Sequence, residues 1–254
     1  MVLTSLRFSV AAIVFGLIYF KKLNFKNRET IQGGIVLGVL MFLGYGFQTL
    51  GLKYTTAARS GFITFSYALY VPFLQYYFLK KKPVMGNLIG LFFVAIGVAV
   101  LSNPESAKVN VGDILTLCSA IVFAFYVVCI AKYTTNGDPT TLTFLQFIIP
   151  AILAACASPF VETPFIIWSD AVLLSVAYLA VPGTIICIYL MNIHQRETSP
   201  MRAVIIYSME PLFAVVLAVF LLNETLDGAE LIGISCIFSG VIISELCHFT
   251  KKHI

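Results

Sequence analysis

The sequence predicts an all-α, polytopic membrane protein with about nine transmembrane helices, on three observations. Hydrophobic residues make up 59% of the 254-residue chain and charged residues only 11%, with a mean hydropathy of +0.95. So few charges cannot cover the surface of a soluble domain of this size, so most of the surface must face lipid. Apolar windows of roughly 18–22 residues, the length that crosses a bilayer as a helix, recur along the whole chain. The chain also repeats itself: residues 53–102 lie over 196–245 without a gap.

The windows place helices at 3–20, 32–52, 57–79, 84–101, 112–131, 140–160, 170–191, 202–222 and 229–247. The first, "MVLTSLRFSVAAIVFGLIYFKK", carries its positive cluster after the apolar run, so it reads as a span and not as a cleavable signal. The polar connections "KKLNFKNRET" and "SNPESAKVN" are too short to fold as soluble domains. Cationic residues set the orientation. Lys21, Lys22, Lys26, Arg28, Lys80, Lys81, Lys82, Lys132, Arg196, Arg202, Lys251 and Lys252 fall on one side if the spans alternate. That side is expected to be the cytoplasm, with the C-terminus in it, and the setting is a cell membrane.

In the repeat, Thr55 falls on Thr198, Arg59 on Arg202 and Leu79 on Leu222. "LIG" recurs at 88–90 and 231–233, and "GV" at 97–98 and 240–241. Lys81 lies over Glu224, the change of sign expected if one turn is cytoplasmic and the other external. Copies an odd number of spans apart are inverted, and here they are five apart. Upstream, "LRFSVAAIVF" corresponds to "LQFIIPAILA". The first copy is then expected at 1–102 with four helices and the second at 112–247 with five. The counterpart of helix 112–131 would precede residue 1, so the first copy is expected to be without its first helix, through truncation, a misassigned start or a nine-helix variant.

Several function classes are excluded by what the chain does not carry. The net charge of +4 is spread over short loops with no basic stripe, which argues against nucleic acid. The six cysteines lie in or beside apolar runs without CxxC spacing and read as packing residues. His194, His248 and His253 sit near helix ends, no HExxH or GxSxG is present, and no metal, cofactor or catalytic site is expected. No Walker A sequence supplies ATP as the drive.

The remaining candidates are polar groups at mid-depth. Glu210 lies about eight residues into its helix, roughly 12 Å along the axis. A carboxyl there is costly and faces the bundle interior or water, as a substrate or proton contact or as a structural hydrogen-bonding group. Tyr67, Tyr126 and Tyr207 are the tyrosines nearest the centres of their helices, and Tyr67 falls on Glu210 in the repeat. Gln48, like Asn192 and His194, marks a helix end or an interior face, where a lone polar residue is more often an interhelical hydrogen bond than a ligand contact. Arg7, a few residues into the first span, offers its guanidinium to a carboxylate substrate or snorkels to the interface. Pro72 and Pro211 interrupt the third and eighth spans and are candidate hinges. The glycines of the second, fourth and ninth spans are expected to let helices approach closely.

The chain resembles the drug/metabolite transporter superfamily, EamA branch, throughout its length. The resemblance rests on "SLRF", on "KYTTAARSGFITFSYALYVPF" with its following "LKKKP", and on "RETSPMRAVIIYSMEPLFAVVLAVFLLNETL" with the later "ELIG" and "GVII". Thr198-Ser199-Pro200, Glu210-Pro211 and Asn223-Glu224 stand where the family has its entry, Glu-Pro pair and turn, with Asn223 in place of the usual glycine. The resemblance implies ten-helix exporters of small metabolites such as amino acids, working by alternating access around a cavity between two halves. It also implies that the helices carrying Tyr67, Tyr126 and Tyr207 line that cavity. The implied partners are a small-molecule substrate and the lipid bilayer. A non-transporting or regulatory membrane protein is the alternative suggested by the incomplete first copy, and an intramembrane enzyme is disfavoured.

Overall fold

The structure, a computed structural model of the chain, describes residues 1–102, 109–162, 169–210, 213 and 228–252. All regular elements among the described residues are helical. They are α1 (Val2–Tyr19), α2 (Arg28–Gly51), α3 (Ala57–Phe65), α4 (Tyr67–Leu79), α5 (Met85–Ser102), α6 (Val111–Tyr133), α7 (Pro139–Val161), α8 (Asp170–Ala180), α9 (Cys187–His194), α10 (Pro200–Tyr207) and α11 (Gly228–Lys252). Five stretches are long and apolar enough to cross a membrane: Val2–Lys22, Arg28–Gly51, Val111–Tyr133, Pro139–Val161 and Asp170–Glu197. Met85–Val100 and Leu231–Cys247 are shorter apolar helices. Large apolar side chains such as Leu17, Phe73 and Phe160 point outward. Thr30, Thr116, Ser119, Gln146, Thr184 and Asn192 are fully buried. That is the distribution expected when the surrounding solvent is hydrocarbon. The chain is an all-α polytopic membrane protein.

The helix starts follow local chemistry. Thr56, Asp138, Ser169 and Ser199 cap α3, α7, α8 and α10, each side chain accepting a backbone N–H three residues on. Pro139 and Pro200 occupy the first helical position, where a missing N–H costs nothing. Helix α4 stops at Lys80, which turns left-handed with φ 54° just ahead of Lys81, Lys82 and Pro83.

Two of the expected spans that are described in full are not single helices. Span 57–79 divides at Ser66, where the hydrogen-bond ladder tightens to three-residue spacing. Ser66 N donates to Ile63 O (3.1 Å) and Leu69 N to Ser66 O (3.0 Å). Helix α4 is continuous through Pro72, so the interruption lies on the N-terminal side of the proline that sequence reasoning marked as the break. Span 170–191 continues to His194 but contains a π-helical turn, Val181–Ile186, between α8 and α9. Pro182 cannot donate to the carbonyl four residues back, and the chain widens around it. The Thr184 hydroxyl donates to Leu179 O (2.7 Å) and the Cys187 thiol to Pro182 O (3.1 Å), satisfying carbonyls that an α-helix would have paired. In span 202–222, α10 ends at Tyr207. Pro211, the candidate hinge of that span, lies outside the described residues, as do residues 214–227.

The helices form two compact units, each drawing on both halves of the sequence. Met1–Thr49 with Phe125–Thr198 make the first, and Leu50–Ala124 with Ser199–Ile254 the second. In the first unit α1 packs along α7. Ser5 Oγ donates to Ala151 O (3.3 Å), and the Phe15 ring meets Phe147 edge-on at 5.5 Å between centroids. Gly33 and Gly38 make room on α2: a Cβ there would come within 2.7 Å of the Tyr133 ring and 2.8 Å of Ile149.

In the second unit α5 packs along α11 almost backbone to backbone. A Cβ on Gly90 would lie 2.6 Å from Gly240 O, and one on Gly97 would lie 2.6 Å from Gly233 O. Gly90 corresponds to Gly233 in the sequence repeat and Gly97 to Gly240. Each glycine therefore meets the counterpart of the other, with the order reversed. That reciprocity is the mark of a local two-fold axis between antiparallel, equivalent helices.

Candidate functional site

The expected site residues fall in both units. In the second, Tyr67 begins α4 directly after the Ser66 interruption, and Glu210 comes after the turn Ser208–Met209 that ends α10. The two interruptions are at corresponding repeat positions, and so are Tyr67 and Glu210. Tyr67 lies within electrostatic reach of both Tyr207 and Glu210. Tyr67 and Tyr207 are half-buried, and Glu210 is exposed. The structure thus gathers three of the expected residues beside two broken helices. Pro72 is buried within α4.

The same unit holds two ion pairs that sequence reasoning passed over. Arg59 Nε and Nη2 donate to the two oxygens of Asp113 at 2.8 and 2.7 Å, and Thr55 Oγ1 and Asn110 N donate to the same carboxylate. Arg202 Nε donates to Glu245 Oε1 at 2.7 Å, and its Nη2 to Oε2. Arg59 and Arg202 are repeat counterparts, each fixed at a capped helix start by a two-pronged carboxylate, the arrangement best suited to guanidinium geometry. The repeat showed the arginines; it could not show acids at unrelated positions.

In the first unit Tyr126 is buried, and its hydroxyl donates to Gln146 Oε1 (2.7 Å). Gln146 Nε2 donates to Asn192 Oδ1 (3.0 Å) and Leu142 O (3.2 Å). Asn192 Nδ2 donates to Thr143 Oγ1 (3.1 Å) and Ile188 O (3.0 Å). This chain of bonds ties α6, α7 and α9 together in a place where an unpaired amide would be costly. Gln146 carried no sequence signal beyond being a polar residue inside an apolar run. Gln48 is half-buried toward the end of α2.

Arg7 is tied down by two hydrogen bonds. Its Nε donates to Thr184 Oγ1 (2.5 Å) and its Nη2 to Gly183 O (3.0 Å). Its guanidinium lies 4.8 Å from the centre of the Tyr45 ring and 5.5 Å from that of Phe8. Both hydrogen-bond acceptors belong to the π-helical turn. The Pro182–Gly183 pair was the available signal for that turn, hidden by the apolar residues on either side.

Antiparallel packing of equivalent helices, buried polar side chains and lipid-facing apolar ones, and helices broken at matching positions define a polytopic membrane protein of the transporter class. The family model for the EamA-like transporter family matches residues 1–103 and 110–246, and the chain belongs to that family. It is 33% identical to an uncharacterized transporter of Archaeoglobus fulgidus, over 95% of this chain and 75% of that one. It is 25% identical to an S-adenosylmethionine uptake transporter of Rickettsia conorii, over 97% of this chain and 83% of that one. A protein of known crystal structure shares the fold with a TM-score of 0.84 at 16% identity, over 96% of this chain and 86% of that one.

Proposed function

We propose that the protein is a secondary transporter that moves a small metabolite such as an amino acid by alternating access. The observation that carries this reading is the pair of helix interruptions at Ser66 and Ser208–Met209. They fall at corresponding points of two repeats, with Tyr67 and Glu210 beside them. Discontinuous helices at matched positions expose backbone groups and polar side chains where a substrate or coupling ion binds in the membrane. On this reading residues 1–102 and 112–247 are the two inverted repeats and the C-terminus is cytoplasmic. Tyr67, Tyr207 and Glu210 contact substrate or a coupling proton, and Arg7, Tyr126 and Gln48 are further candidate contacts. Pro72, within α4, and Pro211, outside the described residues, are the candidate hinges on this reading.

Export is the direction implied by the family resemblance. Uptake is a second reading, favoured by the name of the Rickettsia relative. Proteoliposomes carrying the full chain, assayed for both efflux and uptake of labelled amino acids and S-adenosylmethionine, test both. Flux above protein-free vesicles in one direction supports transport and assigns the direction. Vesicles that match the protein-free control across the panel, with the protein shown to be folded, remove the reading.

A further inference from the structure

We propose that Arg7, held by the π-helical turn Val181–Ile186 and the Tyr45 ring, is a mid-membrane subsite for the carboxylate of the transported molecule. This deepens the transport reading and rests on it for the identity of the occupant.

Depth comes first. The acceptors Gly183 and Thr184 lie midway along the helical stretch Asp170–Glu197. At the helical rise they are roughly 20 Å from Asp170, about half the thickness of a bilayer with its headgroups. A guanidinium held there is expensive unless something offsets its charge. Both of its partners are neutral, and among the described residues no carboxylate pairs with it.

A guanidinium has five N–H groups in a planar fork. The Thr184 and Gly183 bonds use one on Nε and one on Nη2, leaving both on Nη1 and one on Nη2 without a partner among the described residues. Two of those three, one on each Nη, lie at the end of the fork, the edge that takes a carboxylate through two parallel bonds. The bonds to the π-helical turn and the contacts with Tyr45 and Phe8 fix the plane of the fork beforehand, so little ordering cost remains for a ligand. The Arg7 side chain is only half-buried, which leaves the edge reachable.

The repeat supplies the third observation. "LRF" at 6–8 corresponds to "LQF" at 145–147, so Gln146 is the counterpart of Arg7. Gln146 is fully buried and its amide nitrogen uses both donors inside the protein. One copy closes this position with a neutral, saturated network; the other leaves a cation with free donors. A structural strut would not require that difference. An anion carried through the membrane would.

Chemical modification of arginine by phenylglyoxal, read at Arg7 by peptide mass spectrometry on the purified full chain in dodecyl maltoside, tests the subsite with acetate as the probe. Exposed Arg28 is the reactive control, and Arg59 and Arg202, clamped by Asp113 and Glu245, are the protected ones. Arg7 is expected to react at a rate near that of Arg28. With roughly 100 mM acetate and a dissociation constant of about 50 mM, its rate falls about threefold. Acetamide at the same concentration leaves it unchanged, and Arg28 responds to neither. An Arg7 as unreactive as Arg59 and Arg202, or one indifferent to acetate, overturns the proposal. Protection by added phosphatidylglycerol but not by acetate assigns the site to a lipid headgroup and also overturns it. Acetate protection in a protein that carries no flux keeps the subsite and removes the transport reading, whereas flux without protection removes the subsite alone.

Discussion

Alanine at Gly90 is the sharpest test of the packing that builds the second unit. A Cβ there would meet Gly240 O at 2.6 Å, whereas ordinary contact begins at 3.4 Å. Backbone carbonyl cannot rotate away like a side chain, so α5 and α11 must part by roughly 1 Å along the crossing, thinning the dispersion contacts on both sides. The expected loss is about 1–3 kcal/mol, the usual cost of overpacking. Gly240→Ala forces the same separation from the other helix, since its Cβ would meet Gly90 O. The double variant is therefore expected to cost less than the sum of the singles, because helices already parted need not part twice. Gly61 in α3 is the control: nothing lies within 4 Å of its Cβ position. Gly61→Ala is expected to be neutral or to stabilise by up to about 1 kcal/mol through helix propensity. Equilibrium unfolding of the detergent-solubilised protein in a sodium dodecyl sulfate titration reads all four. A Gly90→Ala variant as stable as the parent, or strict additivity with Gly240→Ala, would refute the reciprocal crossing.

Four further outcomes are expected. Arg59→Ala and Arg202→Ala each strand a partly buried carboxylate and lower unfolding stability by roughly 2–4 kcal/mol, with coupling to Asp113→Ala and Glu245→Ala visible in double-mutant cycles. Tyr126→Phe leaves Gln146 Oε1 without its donor and costs about 1–2 kcal/mol in the same assay. Pro182→Ala restores a backbone N–H and favours a regular helix; melting temperature is expected to hold or rise while transport falls by roughly tenfold, because Thr184 and Gly183 turn away from Arg7. Glu210→Gln keeps the shape and replaces the carboxyl with an amide that cannot titrate: if Glu210 carries the coupling proton, uphill transport driven by a pH gradient collapses while exchange persists, and unchanged uphill transport leaves Glu210 an architectural group.

Much of the fold was legible in the chain because the physics involved is local or periodic. Apolar length marks spans, so α1, α2, α6 and α7 coincide with their windows to within a few residues. Gly90, Gly97, Gly233 and Gly240 stood out at one offset, and close helix approach followed from their size. Their reciprocal pairing needed three dimensions, since Gly90 and Gly97 are matched to the counterparts of each other and not to their own. Pro72 marked the region of a break but not the place, which is Ser66, on its N-terminal side. The Pro182–Gly183 pair was a local signal submerged in an unbroken apolar run. Arg7 was visible as a cation, but its acceptors lie 176 and 177 residues away in sequence, and no spacing rule reaches that far. Asp113 and Glu245 were hidden for a related reason: they pair with equivalent arginines from positions that the repeat does not relate.

The central claim is movement of a small solute through the protein without ATP, and counterflow measures it most directly. Proteoliposomes holding the full chain are loaded with an unlabelled compound, diluted into a trace of the same compound labelled, and sampled over time without nucleotide or ion gradient. The panel is the amino acids and S-adenosylmethionine. An alternating-access carrier accumulates label transiently above equilibrium for its substrate, as each outward trip of unlabelled solute returns a labelled one. Label that never exceeds the level in protein-free vesicles for any member of the panel, with the protein folded and correctly inserted, contradicts the claim.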